Sequence, residues 1–354
     1  QLEDVELGVP PVEVQAKLPA SPQTKEEKVH YINNIKIFLT NIVILHHIAI
    51  AVGADPYGEW GGPIIHVKDD PFSNPTFIAM NIFIAENSTY FMGLFFFYSG
   101  FFVPKSFDKK GQRAFLFERV KRLGIPQVIF SFLIGPFILG ALTYWLWDRT
   151  DENNAVFRPR LINEGPTWFL QQLIVFGILY SFVCKKGYSP KMECPTLFGF
   201  FLWSLVIGTI TGISMMFHTN KTYFGVPNFF RDFPQFVFFF FGGCIAQRNG
   251  WMEELKTNRS RIAIYTWLVL GLPIWVVKGY LFTSGVLNDS AYLFVDGLLS
   301  NGIMAMGNSL GVTIFFMDFV NGSYWCTKFF AESMYTAYIM QFIPIVFSLR
   351  DRKS

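Results

Sequence analysis

The chain has 354 residues, of which 51% are hydrophobic and 16% charged, with 42 Phe. A soluble domain carries about a quarter charged residues, so the composition excludes an ordinary soluble globular protein, and a net charge of +3 gives no ground for nucleic-acid binding. Cys184, Cys194, Cys244 and Cys326 show no metal-ligand spacing and read as buried thiols.

Residues 1–30, rich in Pro, Glu, Lys and Val without a helical stripe, read as a disordered tail and lack the pattern of a signal peptide. A hydrocarbon core of about 30 Å needs roughly 20 mostly apolar residues per helix, and the first such run is Ile32 to Gly53, INNIKIFLTNIVILHHIAIAVG. On a helix Lys36 and His47 return to within roughly 20° of one face, about 16 Å apart along the axis, whereas His46 points about 80° away. Gly53 to Pro75 is a Gly/Pro/Asp-rich loop, and the second span runs from about Phe77 to Val103. Lys105 to Arg122 then carries seven basic residues against Asp108 and Glu118, which the positive-inside rule puts in the cytoplasm. The amino terminus is then also cytoplasmic, and His47 lies toward the opposite side of the bilayer.

The third span, about Ile125 to Trp147, contains Pro136 and Gly140 and is expected to kink. The fourth covers about Thr167 to Cys184, and Lys185, Lys186 and Lys191 return the chain to the cytoplasm. The fifth and sixth are about Thr196 to Phe217 and Phe230 to Ala246, the latter followed by the basic-weighted QRNGWMEELKTNRSR. The remaining three are about Ile262 to Phe282, Tyr292 to Val320 and Lys328 to Phe347. Continuous apolar runs, with no repeat, heptad or alternating pattern, predict an all-α, polytopic transmembrane helical bundle of about nine to ten spans. The membrane domain is then 31–354.

Ionisable side chains within lipid are costly and usually face the bundle interior or a water-filled cavity. Here they are Lys36, His46, His47, Glu86, Arg231, Asp232, Lys278, Asp296 and Glu332. The neutral imidazole of His47 can take a hydroxyl proton near neutral pH; a helix-to-helix hydrogen bond explains it equally well. Arg119 and Arg122, three apart before the third span, put two guanidinium forks on one helix face, suited to phosphate, and equally to fixing topology or binding anionic lipid. There is no GxxxxGK[ST] loop and no GxSxG elbow, and His30, His66 and His218 are isolated, so no metal site is visible. Sequons at Asn220 and Asn288 fall on outer loops, and Asn87 falls within a span.

Four stretches together resemble the acyltransferase-3 family, over about Tyr31 to Phe347. They are the opening span with Lys36 and His47; FMGLFFFYSGFFVPKSFDKKGQRAFLFERVKRLGIP with Arg119 and Arg122; GPTWFLQQLIVFGILY with Trp168; and SMYTAYIMQFIPIVF. The resemblance implies a multi-span membrane O-acyltransferase with no bound cofactor, moving an acyl group from acyl-CoA on the cytoplasmic side to a hydroxyl of a carbohydrate or other small acceptor. It implies His47 and Lys36 as the catalytic residues, His47 as general base and Lys36 orienting the site or binding the donor, and Arg119 and Arg122 as donor-binding residues; His46, Glu86 and Trp168 are secondary candidates. The partners are then acyl-CoA, the acceptor and the lipid bilayer. The chain departs from the family at Lys36, where arginine is usual, and at Gln341, where histidine is common. Two other readings are a transporter relaying through Lys36, His47 and Glu86, and a catalytically inactive relative.

Overall fold

A computed structural model describes residues 30–51, 75–139, 165–184, 187, 191–217, 231–258, 261–323, 325–341 and 343–345. The amino-terminal tail to residue 29, the loop after the first span with His66, the third span from Gly140 onward, Lys185, Lys186, His218 and the Asn220 sequon lie outside these residues, as do the side chains of Cys326 and Glu332. Every regular element among the described residues is helical.

Each of the nine apolar stretches carries helix. In chain order these are α1 (His30–Ala51), α2 (Pro75–Phe101), the short α3 (Val103–Lys110) and α4 (Gln112–Arg119), α5 (Ile125–Ile129), α6 (Trp168–Val183), α7 (Leu197–Met216), α8 (Phe233–Asn249) and α9 (Trp251–Asn258). There follow α10 (Arg261–Val269), α11 (Gly271–Thr283), α12 (Asp289–Asp296), α13 (Ala305–Phe319) and α14 (Trp325–Met340). Four helical stretches, 30–50, 197–216, 261–281 and 289–319, are by themselves long and apolar enough to cross a membrane.

Three segments have π-helical winding: Val120–Gly124, Phe130–Leu139 and Gly297–Met304. Pro136 lies inside the second, where it withholds an N–H from the helix ladder and accounts for the expected irregularity. The seventh stretch is broken at Leu270; Pro273 has no N–H, and its ring crowds the carbonyl of Val269.

With lipid outside, close helix packing depends on small residues at the crossings. Helices α2 and α8 run parallel and touch backbone to backbone: a Cβ at Gly100 would lie 2.0 Å from the Phe240 carbonyl oxygen, and one at Gly243 would lie 2.0 Å from that of Phe97. The Gly208-x-x-x-Gly212 stripe of α7 crosses Gly297–Met304 antiparallel, so that a Cβ at Gly297 would stand 2.3 Å from the Gly212 Cα. Phe96, Phe176 and Phe240 fill the space between α2, α6 and α8, with ring centroids 5.4 and 5.3 Å apart along that series. α1 completes this core, antiparallel to both α2 and α13: Phe38 meets Phe316 at 5.3 Å, and Asn34 donates to the Val320 carbonyl at 2.6 Å.

Candidate active site

The two adjacent histidines of α1 turn to different neighbours, as the 100° step between them requires. His46 is buried, with its ring 5.1 Å from that of Phe91 on α2, and its Nδ1 has no hydrogen-bond partner among the described residues. His47 faces the carboxyl-terminal end of α14, where its Nδ1 lies 3.0 Å from Oε1 of Gln341. The Gln341 amide nitrogen donates to the Tyr338 carbonyl at 3.0 Å, which fixes the amide orientation and leaves Oε1 as the acceptor. Nδ1 of His47 must then carry the proton, and the basic lone pair is on Nε2.

Below this pair, Tyr338, Phe95 and Phe169 form an aromatic wall with centroids 5.7 to 6.4 Å apart. Trp168 stands behind it, half-buried, 5.9 Å from the ring of Phe236. A cationic layer lies about three helical turns from His47 along α1.

That layer holds Lys36, Arg119 and Arg122. The Lys36 ammonium lies 4.0 Å above the Phe102 ring and is close enough to Arg122 to be repelled by it. Arg119 is half-buried against Gly177 of α6, where a Cβ would come within 2.5 Å of its Nε; Phe115 and Phe240 flank its guanidinium at 5.3 and 5.9 Å. Arg122 is exposed, and its carbonyl accepts from the Tyr335 hydroxyl at 3.0 Å. The expectation that the two arginines share a face needs correction. Arg122 lies in the π-helical Val120–Gly124, where three residues fall further short of a full turn than in an α-helix, so Arg119 turns inward and Arg122 outward. None of the three cations has a carboxylate partner among the described residues. Elsewhere Arg248 pairs with Asp108, Lys110 with Glu118 and Arg261 with Asp318. Three neighbouring cations left without acids suit a multiply charged anion.

Glu86 does not join His47. Its Oε1 accepts from Asn308 of α13 at 2.7 Å, within a polar layer in which Asn308 also reaches Thr89, Gln235 donates to the Thr89 carbonyl, and Asn301 bridges Gln235 and Asp232 at 2.8 and 2.9 Å. Nearby, Lys278 and Asp296 form a buried ion pair of 2.5 Å, and Ser300 donates to Asp296. Lys278, Asp296 and Ser300 satisfy one another, which is the pairing that buried charge requires, whereas Oε2 of Glu86 and Oδ1 of Asn308 are buried without a hydrogen-bond partner among the described residues. Asn87 is buried and accepts from the Tyr90 hydroxyl, whereas exposed Asn288 caps α12 by accepting from the Ala291 amide. No metal-holding group of His, Cys, Asp and Glu occurs among the described residues.

Gln341 is the site residue missed as a participant. The signal was available in its position: at the end of the last apolar run it stands level with the His47 end of α1, whichever residue occupies it. Compared with known families, residues 29–350 match the model described as an acyltransferase domain, acyltransferase-3. No curated protein and no solved structure matches the chain.

Proposed function

The chain belongs to the acyltransferase-3 family, and from that membership we propose an integral membrane O-acyltransferase that uses acyl-CoA and a hydroxyl-bearing acceptor. The observation that carries the reading is the Nδ1–Gln341 hydrogen bond of His47, because it prepares Nε2 to act as a base. In the reaction, Nε2 takes the acceptor hydroxyl proton and the alkoxide oxygen attacks the thioester carbonyl. The tetrahedral intermediate collapses with loss of the coenzyme A thiolate, which recovers the proton from His47. The products are the ester and free coenzyme A. The aromatic wall of Tyr338, Phe95 and Phe169 keeps water from competing with the alcohol.

Lys36, Arg119 and Arg122 receive the phosphates of the donor. The basic loop that carries the two arginines faces the cytoplasm by the positive-inside rule, so donor and amino terminus share that side, and His47 lies deeper, on the acceptor's path. A carbohydrate is the favoured acceptor class through the family resemblance.

Gln341 is a positioning residue, and its role is separable from simple packing. Gln341→Leu is expected to lower kcat about tenfold, the worth of one hydrogen bond, with KM for acetyl-CoA unchanged; Gln341→His, able to hold the same Nδ1–H, retains most turnover. The readout is coenzyme A thiol release by the purified protein with polyol and sugar acceptors. Equal kcat for the leucine variant and the parent would remove the basis of the reading. Arg119→Ala is expected to raise KM for acetyl-CoA roughly 10- to 100-fold, as for loss of a hydrogen bond to a charged group, and to weaken the salt dependence of donor binding. An unchanged KM would take Arg119 out of the donor site.

A further inference from the structure

A cavity of about 350 Å³ lies between α2, α7, α8 and α13, floored by α9. Trp251, Met252 and Leu255 of α9 are buried beneath it, and the Trp251 indole N–H donates to the Met192 carbonyl at 2.8 Å, pinning residues 191–196 under the same floor. Among its lining residues only Ser309 and Thr313 carry polar side chains, and the Thr313 hydroxyl is already engaged with that of Tyr98 at 3.0 Å. The Ser309 hydroxyl is buried without a partner among the described residues, so a water inside has one open hydroxyl where a buried water commonly makes two to four bonds, and an apolar space of this size left empty forfeits dispersion contacts along its whole lining.

The cavity is continuous with the lipid-facing surface. α7 is a candidate membrane span, and Phe198 and Leu202 point outward from it at 67% and 46% exposure. Trp203 of the same helix is both exposed and part of the cavity lining, so it marks the mouth. At about 30 Å³ for a water-sized group, the space takes roughly a dozen methylene-sized groups in single file.

We propose that this cavity holds one hydrocarbon chain of a bilayer phospholipid. The occupant comes from the bilayer and not from the acyl donor, because the cavity and the cationic layer lie on opposite faces of α8. Phe238, Phe239, Gly242 and Ile245 line the cavity, whereas Phe240 turns away from it to Arg119 and Phe176. The site is independent of the acyl-transfer chemistry.

Gly242 gives the test, since a Cβ there meets nothing within 4 Å and a larger side chain can grow into the space. The full chain is reconstituted in phosphatidylcholine vesicles with dibrominated chains, and tryptophan quenching is compared among the parent, Gly242→Phe, Gly242→Leu and Trp251→Phe. Lipid retained after detergent purification is measured in parallel by mass spectrometry. The expected result is one phospholipid retained per chain and a quenched component lost in Trp251→Phe and in whichever Gly242 variant folds, with acetyl transfer unchanged. Absence of retained phospholipid in the parent, or equal quenching in parent and filled variants, overturns the proposal. A Gly242 variant that loses only turnover of long-chain acyl-CoA also overturns it, by giving the cavity to the donor.

Discussion

Replacing His47 with alanine is expected to leave the protein folded in the membrane and to lower acyl transfer about 10²- to 10⁴-fold, the usual contribution of a positioned general base. The folding half of the expectation rests on its surroundings: His47 is half-buried and its hydrogen bond to Gln341 joins the ends of two helices, while Ile35, Leu39 and Val43 keep α1 packed. The activity half rests on Nε2, the only basic atom that the Nδ1–Gln341 bond leaves on the ring. His46→Ala is the informative companion, because that ring packs on Phe91 and its loss removes contacts rather than a base. Thiol release from acetyl-CoA with acceptor, beside the monodisperse yield of each variant, separates the two outcomes. Retained turnover in His47→Ala with loss in His46→Ala would reverse the assignment.

Gly243→Val should abolish the folded state. Its Cβ would sit 2.0 Å from the Phe97 carbonyl oxygen and 3.0 Å from the Phe101 amide, both backbone atoms of a neighbouring helix that cannot rotate away as a side chain can. Relief requires α2 and α8 to separate, and with them the reciprocal contact at Gly100. The cost should therefore exceed the 1–3 kcal/mol common for overpacked sites. Gly242→Ala, one residue earlier and facing open space, should be tolerated. Thermal unfolding in detergent compares the two; equal melting temperatures would mean that the crossing is not a stability determinant.

Much of the architecture was legible because lipid leaves the backbone few options. Among the described residues each apolar run carries helix, four helical stretches are by themselves long and apolar enough to cross a membrane, and the α-helical phase turns His47 and His46 to different neighbours. What sequence could not give was partnership. Glycines 100, 208, 212, 243 and 297 stand within apolar runs, and nothing local says which helix each one admits. Gln341 stood out only as a departure from the family, yet 294 positions along the chain from His47 it supplies the acceptor that a histidine there would otherwise provide. Glu86 looked like a relay candidate by its depth, but its depth did not reveal that it faces Asn308. The arginine pair was misjudged in direction because an i, i+3 spacing assumes 3.6 residues per turn, and the winding changes between the two residues.

That change of winding has a consequence for how the cationic layer is encoded. In Val120–Gly124 the angle between the two guanidinium groups is set by the number of residues wound into the turn, more than by which residues they are. The inward arginine and the outward one thus form a two-pronged clasp whose opening is a matter of phase: one prong rests against Gly177 inside the bundle, and the other extends to the surface beside Lys36. Such a clasp tolerates changes of side chain along the segment and is sensitive to its length, so a single-residue gain or loss there would alter the grip without touching either arginine.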